Sequence, residues 1–441
     1  MLVLNLGWLV FRIVALLAVL SLLFLSQRFW FRALWRVSAG WGSTAIRVIV
    51  RVIYLAALGV VILALFDGLR GGAARIIPRG TLVTSLAGLW YFSALLSYIA
   101  VKLVHGFDGV WRYAKGYLQR KGNLPKTPEA PDFVPDPSRR YFFKTATVVA
   151  GATPFLSAVY GFASERLNYQ IREVDVPLAN LPSGLHGMRI AQLSDIHLSG
   201  YMPRAQVRRA VDMANELNAD IAVVTGDFIT GAGDPIAECV SELRRLQAPL
   251  GIWGCNGNHE IYADAEDLAQ RLFAANGMRL LRSENAQIQF NGASFNLLGV
   301  DYQRERTPGG RRIQMLDGVG HLVRRDMPNV LLSHNPNSFN RAAELGIELS
   351  LAGHTHGGQV QVELLDHRLS PARFITDYIA GMYSRPLFEP ARTKASGHFI
   401  AASTLQKPAS VLYVNRGLGT VGAPVRLGVP PEITLLTLRG V

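Results

Sequence analysis

The sequence predicts an α/β domain of the α+β sandwich kind, behind an N-terminal helical region that spans a membrane. Three observations carry this. The chain of 441 residues has a formal charge of +13, and residues 1–163 hold all of the excess, with 18 Lys+Arg against 5 Asp+Glu; residues 164–441 hold 27 of each. From about residue 172, apolar runs of strand length alternate with helix-length segments, as crossover units around a central sheet require. Carboxylates, imidazoles and one amide then stand directly after those apolar runs. The length allows two or three domains.

Residues 1–121 read as a transmembrane region with three helices, over about 7–26, 48–66 and 82–104. Each run is long and apolar enough to cross a bilayer. A cleaved signal peptide is the alternative for the first run, but the run is long and no small-residue cleavage site follows it. Basic residues that border apolar segments signal topology, so the charge does not call for a nucleic-acid partner. The first loop carries Arg28, Arg32, Arg36 and Arg47 with no acid, and the second carries Arg70, Arg75 and Arg79 against Asp67. The third, over 105–144, is the most basic. This places the first and third loops in the cytoplasm and the N-terminus outside.

Residues 122–144 combine a proline-rich linker with Ser138-Arg139-Arg140-Tyr141-Phe142-Phe143-Lys144, and a weakly apolar segment follows over 145–163. Paired arginines, aromatics, a lysine and a modest apolar run resemble a twin-arginine export signal. A basic anchor before an ordinary fourth span is the other reading. Either sends the following domain out of the cytoplasm, so the expectation is an integral membrane protein with residues 172–441 on the extracytoplasmic side.

Strand-like runs over 188–193, 221–224, 251–255, 294–300 and 330–332 alternate with helix-like segments over 204–217, 236–246 and 265–275. The stretch 394–439 is richer in strand character, which favours a layered sandwich over a purely parallel sheet. Cys239 and Cys255 are too few for a disulfide framework or a thiolate zinc site. They read as small core residues, with one bridge between them left open.

Five motifs stand after apolar runs. They are Asp195-Ile196-His197; Gly226-Asp227; Gly257-Asn258-His259-Glu260; Ser333-His334; and Gly353-His354-Thr355-His356-Gly357-Gly358. An i, i+2 spacing in extended chain puts both side chains on one side, and the glycines permit close approach to a ligand. Singly, each has a bland explanation as a cap, a turn or a surface residue. Together they line the sheet edge where ligands bind in open α/β sheets. Asp195, His197, Asp227, Asn258, His334, His354 and His356 exceed what one tetrahedral ion needs. Such a set suits two divalent ions sharing a carboxylate, with Mn, Fe or Zn favoured over calcium.

These motifs, in this order, resemble the calcineurin-like metallophosphoesterase superfamily over about residues 185–440. The runs 353–359, 412–420 and 430–434 look like its YkuE-type membrane-associated subgroup. The resemblance implies a four-layer fold with central mixed β-sheets. It also implies that Asp195, His197 and His356 hold one metal, that Asn258, His334 and His354 hold the other, and that Asp227 bridges them. His259 would contact the phosphate and assist the leaving oxygen, with Glu260 orienting it. One departure is the stretch 384–408, which looks long for the subgroup and bears on substrate choice.

The function implied is a membrane-anchored hydrolase of phosphoric ester or phosphoanhydride bonds, in which water activated between two ions attacks phosphorus. Its partners would be the bilayer and a phosphoester substrate that is lipid-linked or part of the envelope. One alternative is a cytoplasm-facing pyrophosphatase of the UDP-diacylglucosamine type, from lipid A synthesis. Another is a non-catalytic scaffold or sensor. The sequence leaves the substrate and the oligomeric state open.

Overall fold

The computed structural model describes residues 2–69, 82–121, 137–303, 314–364, 367–369, 376–385 and 410–441. The second loop at 70–81, the linker at 122–136 and the stretch 386–408 lie outside the described residues. The chain divides into two compact units, Met1–Tyr160 and Gly161–Val441.

The first unit is helical: α1 (Leu2–Ala39), α2 (Thr44–Leu69), α3 (Leu82–Arg120) and most of α4 (Pro137–Ala163). Among the described residues, Thr44–Leu63, Leu86–Leu118 and Ser138–Leu167 are long and apolar enough to cross a membrane. The expected first span lies inside α1. Polar side chains tie the helices together. Trp90 Nε1 donates to Gln27 Oε1 at 2.9 Å, Trp30 Nε1 to the Ala94 carbonyl at 3.2 Å, and Ser97 Oγ to the Gly151 carbonyl at 2.6 Å. The third span is longer than its expected end at 104. Gly106, Gly109 and Gly116 do not stop the helix. A glycine costs only about 1 kcal/mol against alanine within a helix, and no proline intervenes. The loop expected from 105 therefore begins after Arg120.

The second unit contains two six-stranded sheets. The first takes β1 (Gln170–Leu178), β2 (Arg189–Leu193), β3 (Ile221–Thr225), β4 (Ile252–Cys255), β5 (Arg279–Leu280) and β14 (Glu432–Gly440), in the order β1-β14-β2-β3-β4-β5. The helices between its strands are α5 (Arg204–Asn215), α6 (Ile236–Leu243), α7 (Asn258–Tyr262) and α8 (Glu266–Ala275). The second sheet takes β6 (Glu284–Phe290), β7 (Ala293–Gly299), β8 (Asn329–Leu332), β9 (Leu349–Ala352), β12 (Gly381–Arg385) and β13 (Ser410–Val414), in the order β12-β13-β9-β8-β7-β6, with α9 (Phe339–Leu345) before β9. A short hairpin, β10 (Val362–Leu364) with β11 (His367–Leu369), follows the last motif.

One core lies between the sheets, where Ile190, Val223 and Leu436 meet Leu297, Val330, Leu351 and Val411. A second packs α5, α6 and α8 on the first sheet through Val207, Val240 and Phe273, and a third covers the second sheet with Ala342, Leu316 and Val319. The layers run helix, sheet, sheet, helix, as expected, and both sheets are mixed. Cys239 and Cys255 are free and buried in different cores, so the bridge left open does not form.

Candidate metal centre

The parallel strands β2, β3 and β4 of one sheet and β8 and β9 of the other end at one edge, and each delivers a motif there. Asp195 and His197 follow β2, and Asp227 follows β3. Asn258, His259 and Glu260 open α7 after β4; His334 follows β8; His354 and His356 follow β9. All seven donors singled out from sequence therefore come together.

Two groups form. Asp195, His197, Asp227 and His356 each place a donor atom within 4.8 Å of the others, and so do Asp227, His334 and His354. Asp227 belongs to both. Its Oδ2 lies 3.5 Å from His197 Nε2 and 3.1 Å from His334 Nε2. His197 Nε2 and His356 Nε2 stand 3.1 Å apart, and Asn258 Oδ1 lies 2.7 Å from His354 Nδ1. Asp195, His197, Asp227, His354 and His356 all have positive φ, between 48° and 73°. Non-glycine residues rarely hold that backbone, and such strain gathers at functional sites. Gly353 admits the approach of β9 to β2, because a Cβ there would collide with Ser194 Oγ and Asp195 Oδ2.

The electrostatics ask for positive charge. Burial pushes the Asp195 carboxyl up to about 6, against the pull of His334. Burial also opposes ionisation of Asp227, but the charge and hydrogen bond of His334 outweigh it and hold that carboxyl well below the usual range. Burial lowers His197 to about 3 and His354 to about 4, and takes His356 well down too. These rings are neutral, as ligands must be. Burial would lower His334 as well, yet Asp227 and Asp195 together raise it to about 10. Its Nδ1 donates to the Thr225 carbonyl at 2.6 Å, while its Nε2 is turned on the shared Asp227 Oδ2 at 3.1 Å. A ring whose Nδ1–H is tied to a backbone carbonyl presents Nε2 as a ligand. This donor set, with the Nε2 atoms of His197, His334 and His356 converging on the Asp195 and Asp227 carboxylates, fits two divalent ions.

His259 and Glu260 sit differently from the rest. His259 Nδ1 meets the Thr230 carbonyl at 2.6 Å, its ring packs edge-on to His197 at 4.7 Å, and its backbone N–H donates to Asp227 Oδ1 at 2.9 Å. Glu260 does not orient His259 directly, which corrects the expectation. Its buried carboxylate accepts the backbone N–H groups of Gly257, Asp227, Phe228 and Ile229 at 2.8 to 3.3 Å. It holds the loop after β3 against the start of α7. Burial, joined by the Asp227 charge, raises it to about 7.

Sequence reasoning missed two neighbours. Tyr302 follows β7 and packs on His354 and His334, with ring centroids 5.4 and 6.2 Å away. It lies just past an apolar run that was itself legible, at the edge where every other motif stands. Arg426 is fully buried and donates to the carbonyls of Arg416, Gly417, Gly419 and Val429. No local pattern marks it.

Residues 188–358 match the family described as calcineurin-like phosphoesterase. The chain carries a calcineurin-like metallophosphoesterase domain. Relatives of the phosphoesterase domain include a zebrafish "transmembrane protein with metallophosphoesterase domain", 28% identical over 66% of this chain and 62% of its own length. The uncharacterized metallophosphoesterase YkuE of Bacillus subtilis is 27% identical, over 68% of this chain and 98% of its own. UDP-2,3-diacylglucosamine pyrophosphatase LpxG of Chlamydia trachomatis is 26% identical, over 65% and 94%. The chain thus spans less than two thirds of the zebrafish relative. The apolar helices and the transmembrane relative support membrane association.

Proposed function

We propose that the chain is a membrane-anchored phosphoesterase that depends on two divalent metal ions. The observation that carries this is Asp227, shared by two convergent groups of donors, all buried but the half-buried His354. Asp195, His197 and His356 would complete one site, and Asn258, His334 and His354 the other. Bound there, two ions would polarise the phosphoryl oxygens and lower the pKa of water towards neutrality from about 15.7.

The chain's own residues do the rest. Asp227 sets the separation of the two donor groups, and Glu260 fixes Asp227 through its backbone N–H. With Nδ1 of His259 committed to the Thr230 carbonyl, proton exchange with a leaving oxygen falls to Nε2. No serine or cysteine nucleophile is required. Ser194 Oγ donates to the Thr225 carbonyl, and both cysteines are buried with raised pKa values.

Apolar helices on the same chain favour a phosphoester or phosphoanhydride presented at the bilayer, with the catalytic domain on the extracytoplasmic side. A cytoplasm-facing pyrophosphatase is the second reading, favoured by the similarity to LpxG. For the test, the full chain in detergent is loaded with manganese and assayed on bis-p-nitrophenyl phosphate, with bound metal counted by mass spectrometry. Wild type should hold two ions and turn over, chelation should stop it, and Asp227→Ala should abolish hydrolysis. Normal turnover by that variant with its metal retained would refute the shared carboxylate.

A further inference from the structure

Next to the two donor groups lies a cavity of about 540 Å³ that the proposed chemistry does not use, lined among the described residues by Gly357, Gln361, Thr376, Asp377, Tyr383 and Arg416. We propose that it is the subsite for the group attached to the scissile phosphate. It would take a hydroxyl-bearing group with a second negative charge, as in a sugar diphosphate. This rests on the phosphoesterase reading and deepens it.

Placement comes first. Gly357 directly follows His356, and Arg416 directly precedes Gly417. A Cβ on Gly417 would lie 2.5 Å from Asp195 Cβ, and one on Gly357 would lie 3.1 Å from Arg416 Cγ. The stem of Arg416 therefore packs on the backbone just after His356, and the next residue, Gly417, packs on Asp195. The cavity therefore begins one residue beyond His356, within reach of a substituent on a phosphate held by those ligands.

The lining then selects the chemistry. Arg416 Nε pairs with Glu432 at 3.2 Å; Glu432 is buried and also accepts from the Tyr413 and Thr434 hydroxyls at 2.6 and 2.7 Å. Arg426 holds the carbonyls of Arg416 and Gly417 at 3.0 and 2.9 Å, so the loop that carries Arg416 is fixed from beneath. A guanidinium anchored in this way is suited to a phosphate or carboxylate. Tyr383 accepts the N–H groups of Ile379 and Ala380 on its hydroxyl oxygen, which leaves the hydroxyl hydrogen to be donated. Gln361 and Asp377 add donors and acceptors of the kind that read hydroxyl groups, while the Thr376 hydroxyl donates to Asn337 Oδ1 and accepts the Tyr378 N–H. Apart from Ile379, Ala380 and the Tyr383 ring the described lining is polar, so the cavity takes the head of the substrate and not a tail. The volume falls within the usual range for small-molecule pockets, about 300–1,000 Å³.

The test compares kcat/KM for two classes of probe, using the manganese-loaded full chain. One class is bis-p-nitrophenyl phosphate, which has no second charge. The other is a sugar diphosphate, supplied both as a soluble nucleoside diphosphate sugar and as a lipid diphosphate sugar in mixed micelles; whichever arm turns over identifies the source. In Arg416→Gln the preference for the sugar diphosphate should fall at least tenfold, carried by KM, and Arg416→Lys should restore part of it. Gln361→Ala, away from the buried ion pair, should raise KM for the sugar diphosphate severalfold, and it carries the test if Arg416→Gln fails to fold. Equal losses on both probes would overturn the subsite and leave Arg416 a structural residue. A wild type that prefers bis-p-nitrophenyl phosphate would overturn it too. No turnover of any probe with both metals bound would sink the phosphoesterase reading itself, and the subsite with it.

Discussion

His259 adjoins both donor groups without belonging to either, which makes it the residue whose loss separates binding from chemistry. Its Nδ1 is committed to Thr230, so Nε2 is the atom that serves the leaving oxygen. His259→Ala should keep both ions, as counted by mass spectrometry, while kcat on bis-p-nitrophenyl phosphate drops at least about a hundredfold. An unchanged kcat removes it from the mechanism. The convergence of the seven side chains was legible in the sequence because they follow five apolar strand runs within a few residues, and a side chain's position relative to its strand is local information. The role of Glu260 was not legible. It depends on where the backbone N–H groups of residues 227–229 end up, some thirty positions away. Arg416 and Arg426 reach the site only through strand order, because β13 lies beside β9.

At the scale of elements, α5 and α6 are joined by one carboxylate. Glu242 on α6 is buried and takes hydrogen bonds from Arg208 and Arg204 on α5 and from Arg245. The Arg208 hydrogen bonds lead in lowering its carboxyl to about 2 from an ordinary 4.5, with Arg204 and Arg245 adding to them against burial. A folded-state pKa below the unfolded one stabilises the fold above the unfolded value, and that stability is lost as pH falls through the folded one. The arginines are 42 to 51% exposed, so solvent screens much of the effect and about 1–2 kcal/mol remains. Glu242→Gln should therefore lower stability by that amount at pH 7 in urea titrations, and the gap should close between pH 4.5 and 2. A gap that is constant across that range would show packing, not charge, at work. Most helices and parallel strands of this domain were legible from apolar period. The pairing of β1 with β14 was not: it joins Gln170 to Glu432 across nearly the whole domain.

At the scale of the whole molecule, the N-terminal unit needs an apolar solvent. Val52, Leu63, Leu103, Val148 and Leu156 are 58 to 68% exposed on its helices. Nothing in water offsets that much bare apolar surface, whereas hydrocarbon does. The basic residues then orient it. Arg28, Arg32, Arg36 and Arg47 cluster towards the turn between α1 and α2, and Arg112, Lys115, Arg120 and Lys121 at the end of α3. If all four helices cross, both clusters fall on one side, which the excess of positive charge assigns to the cytoplasm. The chain beyond α4 then emerges on the opposite side. Protease added to intact cells should therefore cut within residues 161–441, with cleavage followed by an antibody to the C-terminus. If that region is protected until the membrane is permeabilised, α4 does not cross as assigned, and the cytoplasm-facing pyrophosphatase becomes the better reading. The ion pair of Arg139 with Asp108, at 2.5 Å, bears on the other choice, between a twin-arginine export signal and an ordinary fourth span. It ties the first turn of α4 to α3, as expected of a resident fourth helix, so α4 should remain uncleaved in the membrane fraction when the mature chain is sized by mass spectrometry.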